Sequence, residues 1–255
     1  MKKYFITISL FLFSLVSFGC SKVLKNQQTS AKYVASTSWV AGIAELAGID
    51  DVITIAPLNL SHPAEYEITP DDILTVKNAE LIMHAGYERM VKVIAAATEV
   101  DESKMQKVKT TNTLENLSNM VKMLSEKAGT QEEAQKRFSE YTKFIEEIRV
   151  KIKETGLDKK TVYANVNQVE FARDIGLNVV ATFGGGPLTA DEIADAAENK
   201  YDLIIDNIHN PVASVAAEVS PTSKLLIWRN FPEIHEKNAL YNVIKANCET
   251  LFQDE

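Results

Sequence analysis

Short apolar runs alternate with helix-patterned segments over most of this chain. The run "YVAS" at 33–36 precedes a helical pattern at 38–47, and "VITIA" at 52–56 follows it. Next, "TPDDILTVKNA" supplies Thr69 as a helix N-cap, Pro70 at the first helical position and two acids in the first turn. "LIMH" at 81–84, a helix at about 87–97 and a strand near 105–109 complete the first half. Runs of four to six apolar residues between helical patterns predict a mostly parallel sheet covered by helices on both faces.

The middle of the chain reads differently. No strand pattern occurs between about 114 and 154. Gly129 interrupts the helical pattern, and "TQEE" at 130–133 has the spacing of a capping box that restarts it. Ala134, Phe138, Tyr141, Ile145, Ile148 and Ile152 then recur at spacings of four and three, an apolar stripe on a single helix with Glu and Lys opposite. The predicted helix at about 131–154 would reach roughly 36 Å at 1.5 Å per residue. Beyond it the alternation resumes. Strands are predicted at 161–165, 178–183, 202–207 and 224–228, with helices to 175, from a second capping box at Thr189–Glu192, from about 212 and from about 238. The chain therefore divides into an N-terminal α/β lobe at 32–112, a helical segment at 113–157 and a C-terminal α/β lobe at 158–255. The fold class is α/β, two parallel-sheet lobes joined by a long backbone helix.

The first twenty residues change the compartment, not the fold. "MKKYFITISLFLFSLVSFGC" has a basic start, an apolar run too short for a comfortable transmembrane span and a small residue before Cys20. This predicts a signal peptide at 1–19, lipidation of Cys20 and a polar tether at 20–31 holding an extracytoplasmic domain at a membrane. The remaining cysteine, Cys248, is then unpaired, and a buried thiol is expected of it. The chain carries 27 Lys and Arg against 35 Asp and Glu, a net charge of −8, and loss of Lys2 and Lys3 with the leader makes it more acidic still. That balance argues against nucleic acid as a partner and against a polybasic membrane patch.

Ligands of open α/β sheets sit outside the carboxyl ends of the strands. His62 follows the second strand here, and His84 ends the third. Asn165 ends the first strand of the second half, Asp206 and His209 follow its third, and Asn230 follows its fourth. If the lobes face one another, His62 and His209 line one cleft. Imidazole and carboxylate together suit Zn²⁺ or Mn²⁺, so His62, His209 and Asp206 are the candidate metal ligands. Glu65 and Glu67, one residue apart, would share a face of an extended segment beside them. Pro63 biases His62 towards extended backbone angles. Each residue also has a plainer role open to it: a solvated loop for His62, a hydrogen-bonded imidazole for His84, a turn cap for Asp206. The asparagines at 165, 207, 210 and 230 suit a neutral polar solute better than a metal ion. The triple glycine at 184–186 lacks the spacing of a phosphate-binding loop. No nucleophile–base order or acid–base pair stands out, so no catalytic residue and no catalytic cofactor is assigned.

Several stretches together carry a resemblance: "VASTSWVAGIAELAG", "AEYEITPDDILTVKNAELIMHAGYERM", the long helix, "FARDIGLNVVATF" and "DLIIDNIHNPVASVAAEV". They resemble the solute-binding lipoproteins of zinc and manganese ABC importers. The resemblance implies two α/β lobes, a backbone helix, capture of Zn or Mn as transported ligand, an ABC-transporter permease as partner, a monomeric protein and no enzymatic activity. Its ligand positions depart from the family pattern. The histidine usually found directly before "E-Y-E" is replaced by Ala64, with His62 two residues earlier. The region at 107–117 has no histidine, and Asn165 stands where another would be. The acidic metal position implied by the resemblance falls on Asp206 or nearby, with Asn230 near a further acidic site; Glu65, Glu67, His84, Asn165 and Asn230 are candidate ligand contacts by their position in this sequence. The same scaffold binding a non-metal or chelated-metal solute, or serving as a surface adhesin, is the alternative. An enzyme on this scaffold is a third possibility that fold alone leaves open.

Overall fold

The computed structural model describes residues 32–98, 100–234 and 236–253. The leader, Cys20, the tether and His235 lie outside the described residues.

Eight strands form two four-stranded parallel sheets. The first contains β1 (Tyr33–Ala35), β2 (Val52–Thr54), β3 (Leu81–His84) and β4 (Met105–Lys107), in the spatial order β2-β1-β3-β4. The second contains β5 (Thr161–Asn165), β6 (Asn178–Phe183), β7 (Leu203–Asn207) and β8 (Lys224–Trp228), in the order β6-β5-β7-β8. The two sheets thus share one winding, with the strand order reversing beside β1 in one and beside β5 in the other. Val34 sits opposite both Ile53 and Ile82, and Val162 sits opposite both Val179 and Leu203.

Nine α-helices occur among the described residues. Those of the first half are α1 (Ser38–Leu46), α2 (Pro70–Lys77) and α3 (Arg89–Thr98). The middle holds α4 (Leu114–Ala128) and α5 (Gln131–Glu154). The second half adds α6 (Val169–Asp174), α7 (Ala190–Asn199), α8 (Ser214–Val219) and α9 (Ala239–Thr250). The capping boxes at Thr69–Asp72 and Thr189–Glu192 both form, each side chain bonding the other's backbone N–H. The box expected at Thr130 does not. Thr130 makes no cap hydrogen bond; its hydroxyl donates to the Ala47 carbonyl at 2.6 Å, tying the start of α5 to the end of α1. A tertiary acceptor has displaced the local one.

Successive residues of the strands point to opposite faces, and the core divides accordingly. Val34, Ile82 and Val76 pack beneath one face of the first sheet, and Tyr163, Ile204 and Phe183 beneath one face of the second. The inward faces meet in a single continuous cluster. Ala35 and Met83 from the first sheet join Ala164, Ile205 and Trp228 from the second through α1, α4, α5 and α9. The predicted stripe on α5 supplies Ala134, Tyr141, Ile145, Ile148 and Ile152 to that cluster, with Phe138 partly buried at its edge. Tyr241 of α9 meets Tyr141 and Phe144 edge-on, at centroid distances of 6.1 and 5.2 Å. Helix α5 is therefore packed against both halves along its length.

Polar contacts brace the same junction. Arg137 of α5 donates to both carboxylate oxygens of Asp50 at 3.0 Å, to the Glu45 carbonyl at 2.9 Å and to Glu133 at 2.7 Å. The Glu45 side chain accepts the backbone N–H groups of Asn238 and Ala239, placing a negative charge at the positive N-terminus of α9. Cys248 is free and fully buried, and burial pushes its thiol up to about 12, so it is an inert core group. Among the described residues, no helix is long and apolar enough to cross a membrane.

Candidate functional site

The carboxyl ends of both sheets open onto one cleft. Its first wall comes from Thr37 and Trp39 after β1, the loop 61–65 after β2 and Tyr87 after β3. Its second comes from Asn167 after β5, Asn207, His209 and Asn210 at the end of β7, and Asn230 and Phe231 after β8. This cavity is about 330 Å³. A second, of about 300 Å³, shares Trp39, Tyr87, Asn167 and Asn230 with it and extends to Asn112 and Gln168. The two adjoin one another between the halves.

His62 and His209 line the same cavity from opposite walls. His62 is exposed and precedes Pro63, with φ −125° and ψ 68°, short of the fully extended conformation expected before proline. His209 is 8% exposed, and its ring lies flat on Phe231 with 3.7 Å between centroids. Burial first, then Arg229 and His62, lower its pKa to about 4. Glu233, 4.0 Å from its Nδ1, opposes the shift, but that carboxylate is already paired with Arg229. His209 is therefore neutral at pH 7. Its Nε2 is buried and has no partner among the described residues.

Asp206 is positioned quite differently from the expectation of a metal ligand. It is 1% exposed, and its two oxygens are taken up by four donors. One oxygen accepts from the Asn207 N–H at 2.8 Å and the Asn165 side-chain amide at 3.1 Å. The other accepts from Val212 and Ala213 N–H groups, both at 2.7 Å. The carboxylate acts as the pin of the turn from β7 into α8, the plainer of its two sequence roles. Asn165 is fully buried beside it, its amide NH₂ donating to Asp206 and its amide oxygen accepting from Asn167 N–H. Neither residue faces the cavity.

The other candidates are distributed as follows. Asn230 lines both cavities, its side-chain oxygen accepting from Gln168 Nε2 at 2.5 Å. Glu65 lines the first cavity; Glu67 is exposed and does not. The extended segment expected to align the two is instead a short 3-10 turn at Pro63–Glu65, closed by Glu65 N–H donating to the His62 carbonyl. His84 lies at the end of β3 outside the cavity lining, its Nδ1 buried without a partner and its pKa lowered by burial and Lys107. Among the described residues, no three His, Cys, Asp or Glu side chains come together as a metal-holding group.

Sequence reasoning missed several members of the cleft. The Trp39 indole donates to Asn112 at 2.8 Å, and the Asn112 amide donates to the Asn230 carbonyl at 2.9 Å. This chain of bonds runs from α1 through the segment before α4 to the second half. Trp39 and Phe231, both on the cavity lining, lie 5.7 Å apart between centroids. Glu88, 2% exposed, accepts from Ser36 hydroxyl and from Ala85 and Gly86 N–H groups, holding together the carboxyl ends of β1 and β3. The sequence "HAGYE" carried that signal, a glycine and an acid directly after an apolar strand.

The fold defines a class: a two-lobed α/β protein with a helical backbone and a cleft at the carboxyl edges of both sheets. Solved structures of this class include a Mn-bound periplasmic metal binding protein from Candidatus Liberibacter asiaticus, 17% identical with a TM-score of 0.61, covering 86% of this chain and 99% of that one. The Cd-bound form of that protein matches at 16% identity, TM-score 0.61 and the same coverage. The laminin-binding protein Lbp of Streptococcus pyogenes is 16% identical, TM-score 0.62, over 86% of this chain and 96% of that one. No family model and no curated protein matches the chain. At these identities the likeness is one of fold, and it agrees with the fold that the sequence resemblance implied.

Proposed function

We propose that this protein is the extracytoplasmic solute receptor of an ABC importer, a non-catalytic protein that captures its solute in the cleft between the two halves and delivers it to a membrane permease. The observation that carries this reading is the convergence of His62, His209, Asn207, Asn230 and Trp39 on one cavity, after the carboxyl ends of strands from both sheets. The fold it shares with periplasmic metal-binding proteins supports the same role. A signal peptide at 1–19, a lipid on Cys20 and the lobe boundaries at 32–112 and 158–255 complete the proposal: a monomer tethered to a membrane, with the cleft free to meet a permease.

A bare Zn²⁺ or Mn²⁺ ion finds two imidazoles in this cavity, His62 and His209, together with Glu65 on the same lining. These three do not form a coordination group as arranged, and Asp206 is committed elsewhere. The cavity is also far larger than an ion. The test is uptake: cells lacking the chain should lose import of whatever solute co-purifies with the protein from native membranes. Uptake at the parental rate in such cells would refute the receptor role.

A further inference from the structure

We infer that the solute is a divalent transition-metal ion already held by a small organic chelator, with His62 and His209 completing its coordination from opposite walls of the cleft. This rests on the receptor reading above and narrows it.

Four observations lead there. First, His62 and His209 both line one cavity, and His209, more than nine-tenths buried, has an Nε2 that is covered and without a partner among the described residues, so ligation requires its ring to turn towards the cavity. A buried polar atom without a partner is costly unless a ligand satisfies it. Imidazole nitrogen is a ligand for Zn, Cu and Ni in particular. Second, His62, His209 and Glu65 are the ligating side chains on the cavity lining, and they do not come together as a group that could hold a bare ion. A bare-ion site takes three or four protein ligands, and no trio of His, Cys, Asp or Glu assembles among the described residues. The buried carboxylates at the strand ends cannot be recruited. Asp206 accepts from four donors, and Glu88 accepts from Ser36, Ala85 and Gly86.

Third, the space is that of a molecule. About 330 Å³ is within the range of small-molecule sites, and the second cavity adjoins it at Tyr87 and Asn167. Fourth, the remaining walls suit an organic ligand with oxygen atoms. Trp39, Tyr87 and Phe231 line the groove with aromatic surface. Asn207 and Asn230 line it as well. Among the described residues, each uses its oxygen as an acceptor within the protein while its Nδ2 donates to no protein group. Two free amide donors match the carboxylate or carbonyl oxygens of a chelator. In the binding step each imidazole lone pair displaces one water from the partly chelated ion. The water is released, and the metal keeps its oxidation state.

The experiment uses the full chain purified without a polyhistidine tag and four probes: Ni²⁺ alone, nitrilotriacetate alone, the 1:1 Ni²⁺–nitrilotriacetate complex and Ni²⁺–EDTA. Nitrilotriacetate leaves two cis positions on the ion; EDTA fills its coordination sphere. Binding is read by calorimetry, by the Ni²⁺ absorption bands and by tryptophan fluorescence, to which Trp39 and Trp228 both contribute. The expected result is that Ni²⁺–nitrilotriacetate binds at least about tenfold more tightly than any other probe, with an absorption shift reporting nitrogen ligation. His62→Ala, an exposed position, and His209→Phe, which keeps the stack on Phe231, should each lose at least about tenfold. Equal or tighter binding of Ni²⁺ alone, equal binding of the EDTA complex, indifference of both variants, or no binding at all would overturn the inference. Protein taken from native membranes separates this from the receptor reading. A metal and an organic chelator co-eluting in equal amounts supports both. A metal-free solute or a naked ion removes the chelate and leaves the receptor.

Discussion

Gly48 sets a measurable constraint on the junction of α1 and α5. It ends the α1 segment with φ +76°, and a Cβ there would meet Ala134 N at 2.9 Å, Thr130 O at 3.0 Å and Glu133 Cβ at 3.0 Å. Two of these are backbone atoms at the start of α5, which Arg137 and Thr130 hold against α1. Gly48→Ala therefore carries two costs. The left-handed backbone costs an L-residue about 1–2 kcal/mol. Overpacking against a backbone that cannot rotate away costs about 1–3 kcal/mol more. The lower entropy of the unfolded alanine chain returns about 0.4–1 kcal/mol. The net loss is about 1–5 kcal/mol, or about 2–20 °C in melting temperature for a chain of this size. Gly129→Ala is the internal control, because Gly129 has φ +72° and nothing within 4 Å of its missing Cβ. Only the backbone cost applies there, about 1 kcal/mol net. Urea unfolding followed by circular dichroism gives both values. A Gly48→Ala protein as stable as Gly129→Ala would show that α5 yields freely at this contact, and the account of a rigid junction would be wrong.

Three further outcomes follow from the same contacts. Asp206→Asn places an amide NH₂ against backbone donors and should cost about 2–4 kcal/mol in urea unfolding without adding or removing a group from the cavity wall. Glu45→Ala removes the acceptor for Asn238 and Ala239 N–H and should lower stability by about 1–2 kcal/mol; a change below the error of the melt would mean that solvent replaces it fully. The Lys160 ammonium, then Thr161, hold the Asp202 carboxyl below its ordinary value of 3.8 against the opposing effect of burial. A depressed folded pKa gives stability that is complete above the unfolded value and lost as pH falls through the folded one. The stability gap between the parent and Asp202→Asn should therefore hold at pH 7 and 5 and shrink below about pH 3.8; a gap independent of pH down to 3 would contradict it.

Much of the architecture was written into local pattern. The alternation of apolar runs and helical stretches gave two parallel sheets, because strands buried on both faces need continuous apolar sequence and their crossovers need helices. The stripe from Ala134 to Ile152 located α5, since a period near 3.6 can face one core along a helix of that length. The boxes at Thr69 and Thr189 form because both partners lie within one turn of each other. Placing the polar residues after the carboxyl ends of strands also located the cleft. That rule depends only on topology, and the topology was legible.

What local pattern could not decide was which neighbour each polar group would choose. Thr130 has the right spacing for a capping box, yet the Ala47 carbonyl reaches it first, a contact that exists only once α1 lies against α5. Asp206 reads equally as ligand or pin until the turn at 207–213 folds back and presents its N–H groups. Trp39, Asn112 and Asn230 carry no motif, and become a linked wall only when segments far apart in the chain meet. The pairing of His62 with His209 across one cavity belongs to the same category. Each histidine's position at a strand end was fixed by its own half of the sequence, whereas their meeting at one cavity required the continuous core that joins the two sheets. Hydrophobic periodicity is a property of neighbours along the chain; coordination and hydrogen-bond satisfaction are properties of neighbours in space, and only the packed structure supplies those.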